Sequence, residues 1–283
     1  MNPISCSDLP NHFLLDNADV VINSKRFLKG AALEVKNGKI IEVFESGQAH
    51  PKDVKSYDVS SYLLAPGLIN SHTHAAMGFF RDLGHGKSEM IEKFLFPAEK
   101  SLSKELLKPL SYSYLFSALK SGTTFVNDHY YMVRGVGEAI EDLGLKGAIG
   151  ETIATLGGAF PEKASFEHAK KEIDSWTFSN KIMPIVAPHA TDTLSDNDAK
   201  KIADYARTNS IPIHMHLSQS KGELERTLKR TGKTPAAWAS EMGLLGEQTL
   251  AVHLVSVSDA DIDIIKSTGA TAVICPSSQI IYE

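Results

Sequence analysis

Cysteine is scarce in this sequence, and its scarcity excludes several kinds of site. Cys6 and Cys275 are the only cysteines in the chain, too few for a disulfide framework or for a zinc site held by four thiolates. The sequence also lacks P-C-x-x-C, the motif on which one class of nucleobase deaminases holds its zinc. A metal bound by this chain must therefore have nitrogen and oxygen ligands.

Runs of positive charge and long apolar runs are absent as well. The formal net charge is −5 and the pI is about 6.1, with no long Lys/Arg run, so nucleic acid is not an expected partner. No apolar stretch reaches the roughly 18 residues of a membrane span. The amino terminus lacks the charged-then-apolar order of a secretory signal. We therefore predict a cytoplasmic protein that does not associate with membranes.

The amino-terminal part of the chain alternates short β-rich runs with turn residues. The runs ADVVI, AALEVKNGKIIEVF and YDVSSYLLAP follow one another, with turn signals such as Lys36-Asn37-Gly38. After Pro66-Gly67, short apolar runs recur with helix-like segments between them, which is typical of a βα repeat. We predict a small β domain over residues 1–65 and a larger α/β domain over residues 66–283.

The βα repeat predicts a (β/α)8 barrel of the TIM type. Seven strands are visible, over residues 68–74, 123–129, 146–152, 181–190, 211–218, 249–255 and 271–276. The predicted helices cover 88–99, 103–120, 135–143, 164–175, 195–208, 221–229, 235–242 and 258–266, with Ser195 and Ser258 as N-caps. Because a barrel without its eighth strand has two unpaired edges, we expect the chain to be the amino-terminal portion of a longer protein.

Polar residues gather at the carboxyl ends of the predicted strands. In a (β/α)8 barrel this is the face that carries the active site, because separate strands deliver their last side chains to one cavity. The residues at or just beyond these ends are His74, His129, Glu151, His189, His216, His253 and Ser277. The pattern therefore predicts an active site at this face.

Two H-x-H motifs indicate a metal. His72-Thr73-His74 ends the first barrel strand and His214-Met215-His216 lies on the fifth. Residues i and i+2 of a strand project to the same face, so each pair can point inward. We predict that His72, His74 and His216 hold one divalent cation, zinc in the first instance and iron or nickel as alternatives. His214 lies deeper and fits an interior structural histidine.

The other strand-end residues each have two interpretations. His253 is either a further imidazole at the metal or the group that orients its water, and His189 is expected to contact substrate. The Asp128-His129 pair either lines the pocket or caps a turn. Glu151 has the same ambiguity, although an acid at a strand end can bind a cationic or amino-bearing group of a substrate.

Several segments of the chain together resemble one family. They are LAPGLINSHTH (64–74), Met77, Arg81, FPAE (96–99), GTT (122–124), APHA (187–190), HMHL (214–217), AVH (251–253) and CPSS (275–278). In these segments the sequence resembles the amidohydrolase superfamily, in the branch of cytosine and guanine deaminases, methylthioadenosine/S-adenosylhomocysteine deaminases and s-triazine hydrolases. The resemblance covers nearly the whole chain from Asn17 onward.

The resemblance implies roles for these residues. Metal ligands would be His72, His74 and His216, together with an aspartate at the end of the eighth strand, beyond Glu283. By the same resemblance His189 would reach the substrate, and His253 would position or polarise the attacking water. Arg81 from the matched segments, and His129 and Glu151 from their places at strand ends, are our further candidates for substrate contacts. These roles describe a metal-dependent hydrolase.

Gln219 departs from the family's pattern. Deaminases of this family usually carry H-x-x-E on the fifth strand, where the glutamate moves a proton from the water to the substrate nitrogen; here the motif is His216-Leu217-Ser218-Gln219. An amide cannot exchange protons near neutral pH as a carboxylate does, but it can hydrogen-bond a water or a carbonyl. Gln219 is thus a predicted catalytic-site residue without the usual acid–base capacity.

The leading prediction is an enzyme that hydrolyses carbon–nitrogen bonds other than peptide bonds. It would deaminate a purine, pyrimidine, pterin or similar N-heterocycle by attack of metal-bound hydroxide. Gln219 motivates one alternative, a ring-amide or s-triazine-type hydrolase that does not need the glutamate, and a second alternative is an inactive ligand-binding barrel. The expected partner is a small-molecule substrate, and self-association is common for such barrels.

Overall fold

The computed structural model describes residues 9–81, 91–160 and 163–282, with side chains up to Gln279. The chain divides into two compact units, Met1–Gly67 and Leu68–Glu283. No helix in the described ranges is both long enough and apolar enough to cross a bilayer. Among these residues the first unit has one five-stranded sheet, and the second has a five-stranded and a three-stranded sheet.

The first unit is a five-stranded sheet. Its strands are β1 (His12–Asn23), β2 (Arg26–Lys36), β3 (Lys39–Phe44), β4 (Ser56–Asp58) and β5 (Leu63–Leu64). The first three form antiparallel pairs in the order β3-β2-β1, and β4 and β5 both run parallel to β1. Asn37 and Gly38 have positive φ angles of 51° and 71°, the conformation that a two-residue hairpin turn requires. The predicted β-rich runs and this turn are confirmed.

The second unit is a layer of parallel strands. They are β6 (Leu68–Thr73), β7 (Thr123–Tyr130), β8 (Lys146–Ile153), β9 (Ile182–Pro184), β10 (Ala187–Pro188), β11 (Ile213–Leu217), β12 (Thr249–His253) and β13 (Thr271–Val273). Spatial order follows chain order, because β9 and β10 both pair with β8 and a Val186–Ile213 bridge leads on to β11. Among the described residues β6 and β13 do not pair with each other, so this barrel wall is open between them.

Helices follow most strands. They are α1 (Phe96–Glu99), α2 (Lys104–Lys120), α3 (Arg134–Asp142), α4 (Phe166–Asp174), α5 (Asp196–Asn209), α6 (Lys221–Thr231), α7 (Pro235–Glu241), α8 (Asp259–Thr268) and α9 (Pro276–Tyr282), with 3₁₀ turns at Ala75–Phe80 and Thr191–Thr193 and a π turn at Ile91–Leu95. The Ser195 and Ser258 hydroxyls accept the N–H groups of Asp198 and Asp261, so both predicted N-caps are confirmed.

Several predicted elements differ from the structure, among them the last strand, which ends at Val273 and is followed by α9. The strand expected over 181–190 is divided into β9 and β10, which both pair with β8, and between them Val186 donates its N–H to the carbonyl oxygen of Pro212 at 2.9 Å. The helix expected over 88–99 is a π turn followed by the short α1, and residues 88–90 lie outside the described part of the chain.

Alternation along the strands decides which side chains reach the barrel interior. On β11, Ile213, Met215 and Leu217 pack in the same apolar cluster as residues of α5 and α7. His214 and His216 alternate with them and therefore project to the opposite, inner face. The fold thus places the H-x-H pair of this strand inside the barrel.

Candidate metal centre

A cavity of about 1710 Å³ lies within the second unit. Eight of the nine predicted site residues line it: Arg81, His72, His74, His129, His189, His216, Gln219 and His253. They come from the ends of β6, β7, β10, β11 and β12, or from the turns that follow. The strand ends therefore bring together side chains that are more than 100 residues apart in the sequence.

The three predicted metal ligands are neighbours in this cavity. The ring centroids of His72 and His74 are 4.7 Å apart, those of His72 and His216 are 5.0 Å apart, and those of His74 and His216 are 5.1 Å apart. These distances bring the three imidazoles to one part of the cavity, where the described ring nitrogens that all lie within 4.8 Å of one another belong to His72, His216 and His253.

Hydrogen bonds to carbonyl groups fix which nitrogen of His74 and His216 faces the cavity. His216 donates from Nδ1 to the carbonyl oxygen of His189 at 2.8 Å, and His74 donates from Nδ1 to the carbonyl oxygen of His129. A carbonyl oxygen only accepts, so both protons are on Nδ1 and both Nε2 atoms have free lone pairs. Such backbone partners commonly orient metal-binding histidines.

Those two lone pairs are directed at each other. The Nε2 atoms of His74 and His216 are 3.1 Å apart, and two unprotonated acceptors at this distance repel unless a proton or a cation lies between them. Zinc binds imidazole nitrogen at about 2.0–2.1 Å, which both atoms can satisfy at once. The residues therefore fit a divalent cation.

His253 belongs to the same group of nitrogen donors. One ring nitrogen from each of His72, His216 and His253 lies within 4.8 Å of the other two. Both roles foreseen for His253, a further ligand or the group that orients water, are compatible with this position.

Burial keeps these imidazoles neutral at physiological pH. Desolvation is the main cause that lowers the pKa of His74, His189 and His253 to about 4 and that of His214 to about 3. Burial also lowers the pKa of the remaining three, His72, His129 and His216. Neutral imidazole is the form that binds metal, so the site needs no deprotonation near pH 7.

Two histidines beside the predicted ligands have buried nitrogens without a described hydrogen-bond partner. They are both ring nitrogens of His129 and the Nδ1 of His214. The Nε2 of His214 lies 3.0 Å from the Nδ1 of His72, within hydrogen-bond distance. His214 therefore orients the ring of a predicted metal ligand. The ring of His129 stacks on that of His216, with 4.9 Å between centroids.

Backbone strain gathers at the strand ends that bear the site. Ser218, His253 and Leu254 have φ angles of 52°, 84° and 55°, a region that residues other than glycine seldom adopt. The carbonyl oxygen of Ser218 accepts the N–H groups of Val255 and Ser256, both at 2.9 Å, which holds these turns in place. The turns end β11 and β12 earlier than predicted and fix the backbone beside His216 and His253.

Gln219 and His189 face the cavity from adjacent segments. The Nδ1 of His189 is 3.1 Å from the hydroxyl oxygen of Thr193, which orients the ring. Gln219 follows β11 and lines the cavity at the position where a glutamate was expected. This arrangement leaves an amide, not a carboxyl group, on that side of the metal centre.

Glu151, predicted as a substrate contact with a turn cap as the alternative, is not among the residues that line the cavity. Its two carboxylate oxygens accept the backbone N–H groups of Met132 and Val133 at 2.7 and 2.9 Å, next to the start of α3. On β8 it shares a face with Ile149 and Ile153, which pack in the apolar clusters beneath the helices. Its neighbour Thr152 lines the cavity instead, so the misplacement is a single step of strand alternation.

Glu99 also lines the cavity, although no sequence pattern predicted a role for it. This residue is 4% exposed, and its carboxylate accepts the hydroxyl proton of Tyr130 at 2.8 Å. Burial is the main cause that raises its pKa to about 7. Glu99 lies in the FPAE segment and not at the carboxyl end of a predicted strand, so the strand-end pattern did not include it.

Replacing Glu99 with glutamine is expected to change how the stability of the protein depends on pH. The folded protein binds the Glu99 proton more tightly than the unfolded chain, whose ordinary pKa is 4.5. The stabilisation of the folded wild type by protonated Glu99 is therefore complete below pH 4.5 and is lost as the pH rises through about 7. At about pH 8 the variant should be more stable than the wild type by about 2–3 kcal/mol, and near pH 4.5 the two should agree.

Urea unfolding of both proteins across this range measures the effect. Asp128 and Glu223 also have a raised pKa, but both are present in the variant, so the difference between the two curves isolates Glu99. A difference that does not vary with pH would contradict the prediction.

Comparison with known proteins gives a consistent family. The family model described as the amidohydrolase family matches residues 63–281. A 5-methylthioadenosine/S-adenosylhomocysteine deaminase from Thermodesulfovibrio yellowstonii is 32% identical over 262 residues, which is 89% of this chain and 60% of that relative. This chain thus spans about three fifths of the relative's length.

Two solved structures share the fold. A guanine deaminase from C. acetobutylicum with bound guanine has a TM-score of 0.87 at 20% identity, over 96% of this chain and 69% of the other. An adenosine deaminase from Xanthomonas campestris with bound zinc has a TM-score of 0.85 at 24% identity, over 95% and 64%. These likenesses confirm the predicted α/β barrel class. With the family model covering most of its length, the chain belongs to the amidohydrolase family.

Proposed function

We propose that the protein is a metal-dependent hydrolase that deaminates an N-heterocycle. The observation that carries this proposal is the pair of Nε2 lone pairs on His74 and His216, held 3.1 Å apart in a large cavity by carbonyl partners. In this proposal the second unit, corresponding to the predicted domain over residues 66–283, is the catalytic domain, and residues 1–65 form a separate small β domain.

The metal would be held by His72, His74 and His216, with His253 beside them. Zinc is our first choice, because neutral imidazoles suit it and the related adenosine deaminase structure contains zinc; iron and nickel accept the same donors. When bound, such an ion lowers the pKa of a coordinated water to roughly 7 and would stabilise the negative charge that develops on oxygen and nitrogen as the ring carbon is attacked.

The remaining cavity residues divide the other tasks. His253 is neutral and lies beside the metal ligands, so it can accept a hydrogen bond from water and orient it. His189 and His129 offer neutral imidazoles to the polar edge of a heterocycle, and Arg81 offers a cation at the cavity wall. Gln219 can hold a substrate group by hydrogen bonds but cannot deliver a proton to the departing nitrogen.

A purine nucleoside is the substrate class that we favour. The relative from Thermodesulfovibrio yellowstonii is a deaminase of 5-methylthioadenosine and S-adenosylhomocysteine, and the cavity is large enough for a nucleoside. Glu99 lines this cavity as well and can accept hydrogen bonds from hydroxyl groups of a substrate.

The test is ammonia release by the zinc-loaded full chain. The panel contains adenosine, methylthioadenosine, S-adenosylhomocysteine, guanine, cytosine and a pterin, and mass spectrometry identifies each product. Deamination replaces an amino group by an oxygen and releases one ammonia per turnover. Zinc-loaded protein that turns over no member of the panel would contradict the proposal.

Gln219 supports a second candidate, hydrolysis of a ring amide or of an s-triazine substituent. A leaving group such as the chloride of a chloro-s-triazine departs without prior protonation and has less need of a carboxylic acid at this position. To identify this activity, a chloro-s-triazine and a cyclic amide are added to the panel. Chloride release from the first, or ring opening of the second, is detected by mass spectrometry of the products. Binding of heterocycles without any turnover would instead support the inactive ligand-binding barrel.

A further inference from the structure

One buried carboxylate near the site has no part in the proposed reaction. Glu223 lies on the first turn of α6, is 0% exposed and is not among the residues that line the cavity. One of its oxygens accepts the backbone N–H of Gln219 at 2.7 Å. The other accepts the hydroxyl proton of Thr191 at 2.7 Å and the backbone N–H of Thr191 at 3.3 Å.

These hydrogen bonds join two separate segments of the cavity wall. Thr191 lies two residues after His189, on the turn that follows β10, and Gln219 lies on the turn that follows β11. The Thr227 hydroxyl lies 2.8 Å from that of Thr191. Since the Thr191 proton goes to Glu223, Thr227 donates and extends the network to the next turn of α6.

The network is matched to a carboxylate. Both of its oxygens face donors only, two backbone N–H groups and one hydroxyl. An amide at this position would set its NH₂ group against a donor, and that hydrogen bond would be lost. Because the site is buried, water does not replace the lost partner.

We propose that Glu223 is a positioning residue that fixes the spacing between His189 and Gln219 by tying their two segments together. The inference rests on the proposed function, in which both side chains contact substrate. It adds a residue outside the cavity on which the shape of the binding site depends.

Hydrogen exchange measured by mass spectrometry tests this tie without relying on activity. At about pH 8, where most of Glu223 is ionised because burial raises its pKa only to about 7, Glu223→Gln is compared with the wild type. Peptides over 189–195 and 217–224 should both exchange about ten- to a hundredfold faster, the loss expected for charge-assisted hydrogen bonds. Faster exchange in only one segment, or in neither, would overturn the proposal.

Thr249→Val is the matched control. Thr249 is also buried, and its hydroxyl donates to the carbonyl of Leu244 at 2.8 Å at the amino end of β12, away from both segments. The variant should unfold more easily than the wild type yet leave exchange in both segments unchanged. If it accelerates the same two peptides, general destabilisation explains the result and the proposal fails.

Thr191→Val provides a second variant in case Glu223→Gln does not fold. It removes the hydroxyl and keeps the branched shape, so the 217–224 segment should exchange faster although the substitution lies in the other segment. In a variant that combines Glu223→Gln with Thr191→Val, the exchange rate should exceed that of neither single variant by more than about threefold, because both substitutions remove the same connection. Unchanged exchange at 217–224 in Thr191→Val would overturn the tie.

Kinetics separates this inference from the proposed function. With a substrate that the wild type deaminates, Glu223→Gln should raise KM about tenfold or more and lower kcat less, with metal content unchanged. An unchanged KM alongside faster exchange would overturn the positioning role. If the wild type deaminates nothing while the exchange results hold, the proposed function fails and the tie between the two segments stands.

Discussion

Replacing His216 with asparagine is expected to empty the metal centre while leaving the fold intact. The wild type should bind about one zinc ion per chain and the variant less than about a tenth of that, because the Nε2 lone pair opposite His74 is lost. Without metal, the variant should be at least as stable as the wild type, since it no longer buries two acceptors 3.1 Å apart. Any deaminase activity should fall by at least about 10³-fold.

Two measurements check this result. Elemental analysis after dialysis gives the zinc content, and thermal unfolding with and without zinc gives the stabilisation that a ligand of the folded state produces. His214→Asn is the matched control, because His214 is on the same strand but contacts His72 and not the Nε2 pair. It should weaken zinc binding by about 10–100-fold without abolishing it. A His216→Asn protein that keeps a full equivalent of zinc and its thermal shift would rule out the proposed ligand set.

The parallel strand order and most helix bounds were predictable from the sequence because they depend on local patterns. Apolar runs of strand length between helical segments specify a βα repeat, and Ser195 and Ser258 mark helix starts through hydrogen bonds within three residues. The break between β9 and β10 was not foreseen. It depends on which N–H groups the neighbouring strands need, and this is a property of the assembled sheet.

The convergence of the histidines was predictable for a similar reason. All parallel strands end at the same edge, so side chains at their carboxyl ends meet whatever their separation in sequence. Glu151 shows where this argument stops. Position at a strand end does not tell which face a residue occupies, and the alternation on β8 turns Glu151 toward Met132 and Val133 and brings Thr152 to the cavity.

Glu99 and Glu223 were beyond the reach of the sequence for a different reason. Both lie on helices, and their importance comes from partners on other elements, Tyr130 for Glu99 and Thr191 for Glu223. Burial of a carboxyl group becomes visible only after the elements have packed. Sequence patterns therefore predicted most of the histidines that line the cavity, whereas the buried carboxyl groups around it required the structure.

Gln219→Glu is expected to increase deamination by about 10²–10⁴-fold, the usual contribution of one general acid–base group. The side chain already lines the cavity on the segment that follows β11. A carboxyl group there can accept a proton from the attacking water and pass it to the departing nitrogen, which the amide cannot do. Rates of ammonia release by the zinc-loaded wild type and variant, measured across pH 5–9, provide the comparison.

Gln219→Ala and the zinc content complete the experiment. The alanine variant removes the amide without adding an acid, so its rate should stay within about tenfold of the wild type if the amide only holds substrate by hydrogen bonds. Zinc content should be equal in all three proteins, since residue 219 is not among the proposed ligands. The gain in Gln219→Glu should also bring a new ionisation into the pH–rate profile. A loss of activity in both variants would show that the site is adapted to an amide, and the ring-amide or s-triazine-type reaction would then replace deamination as the favoured function.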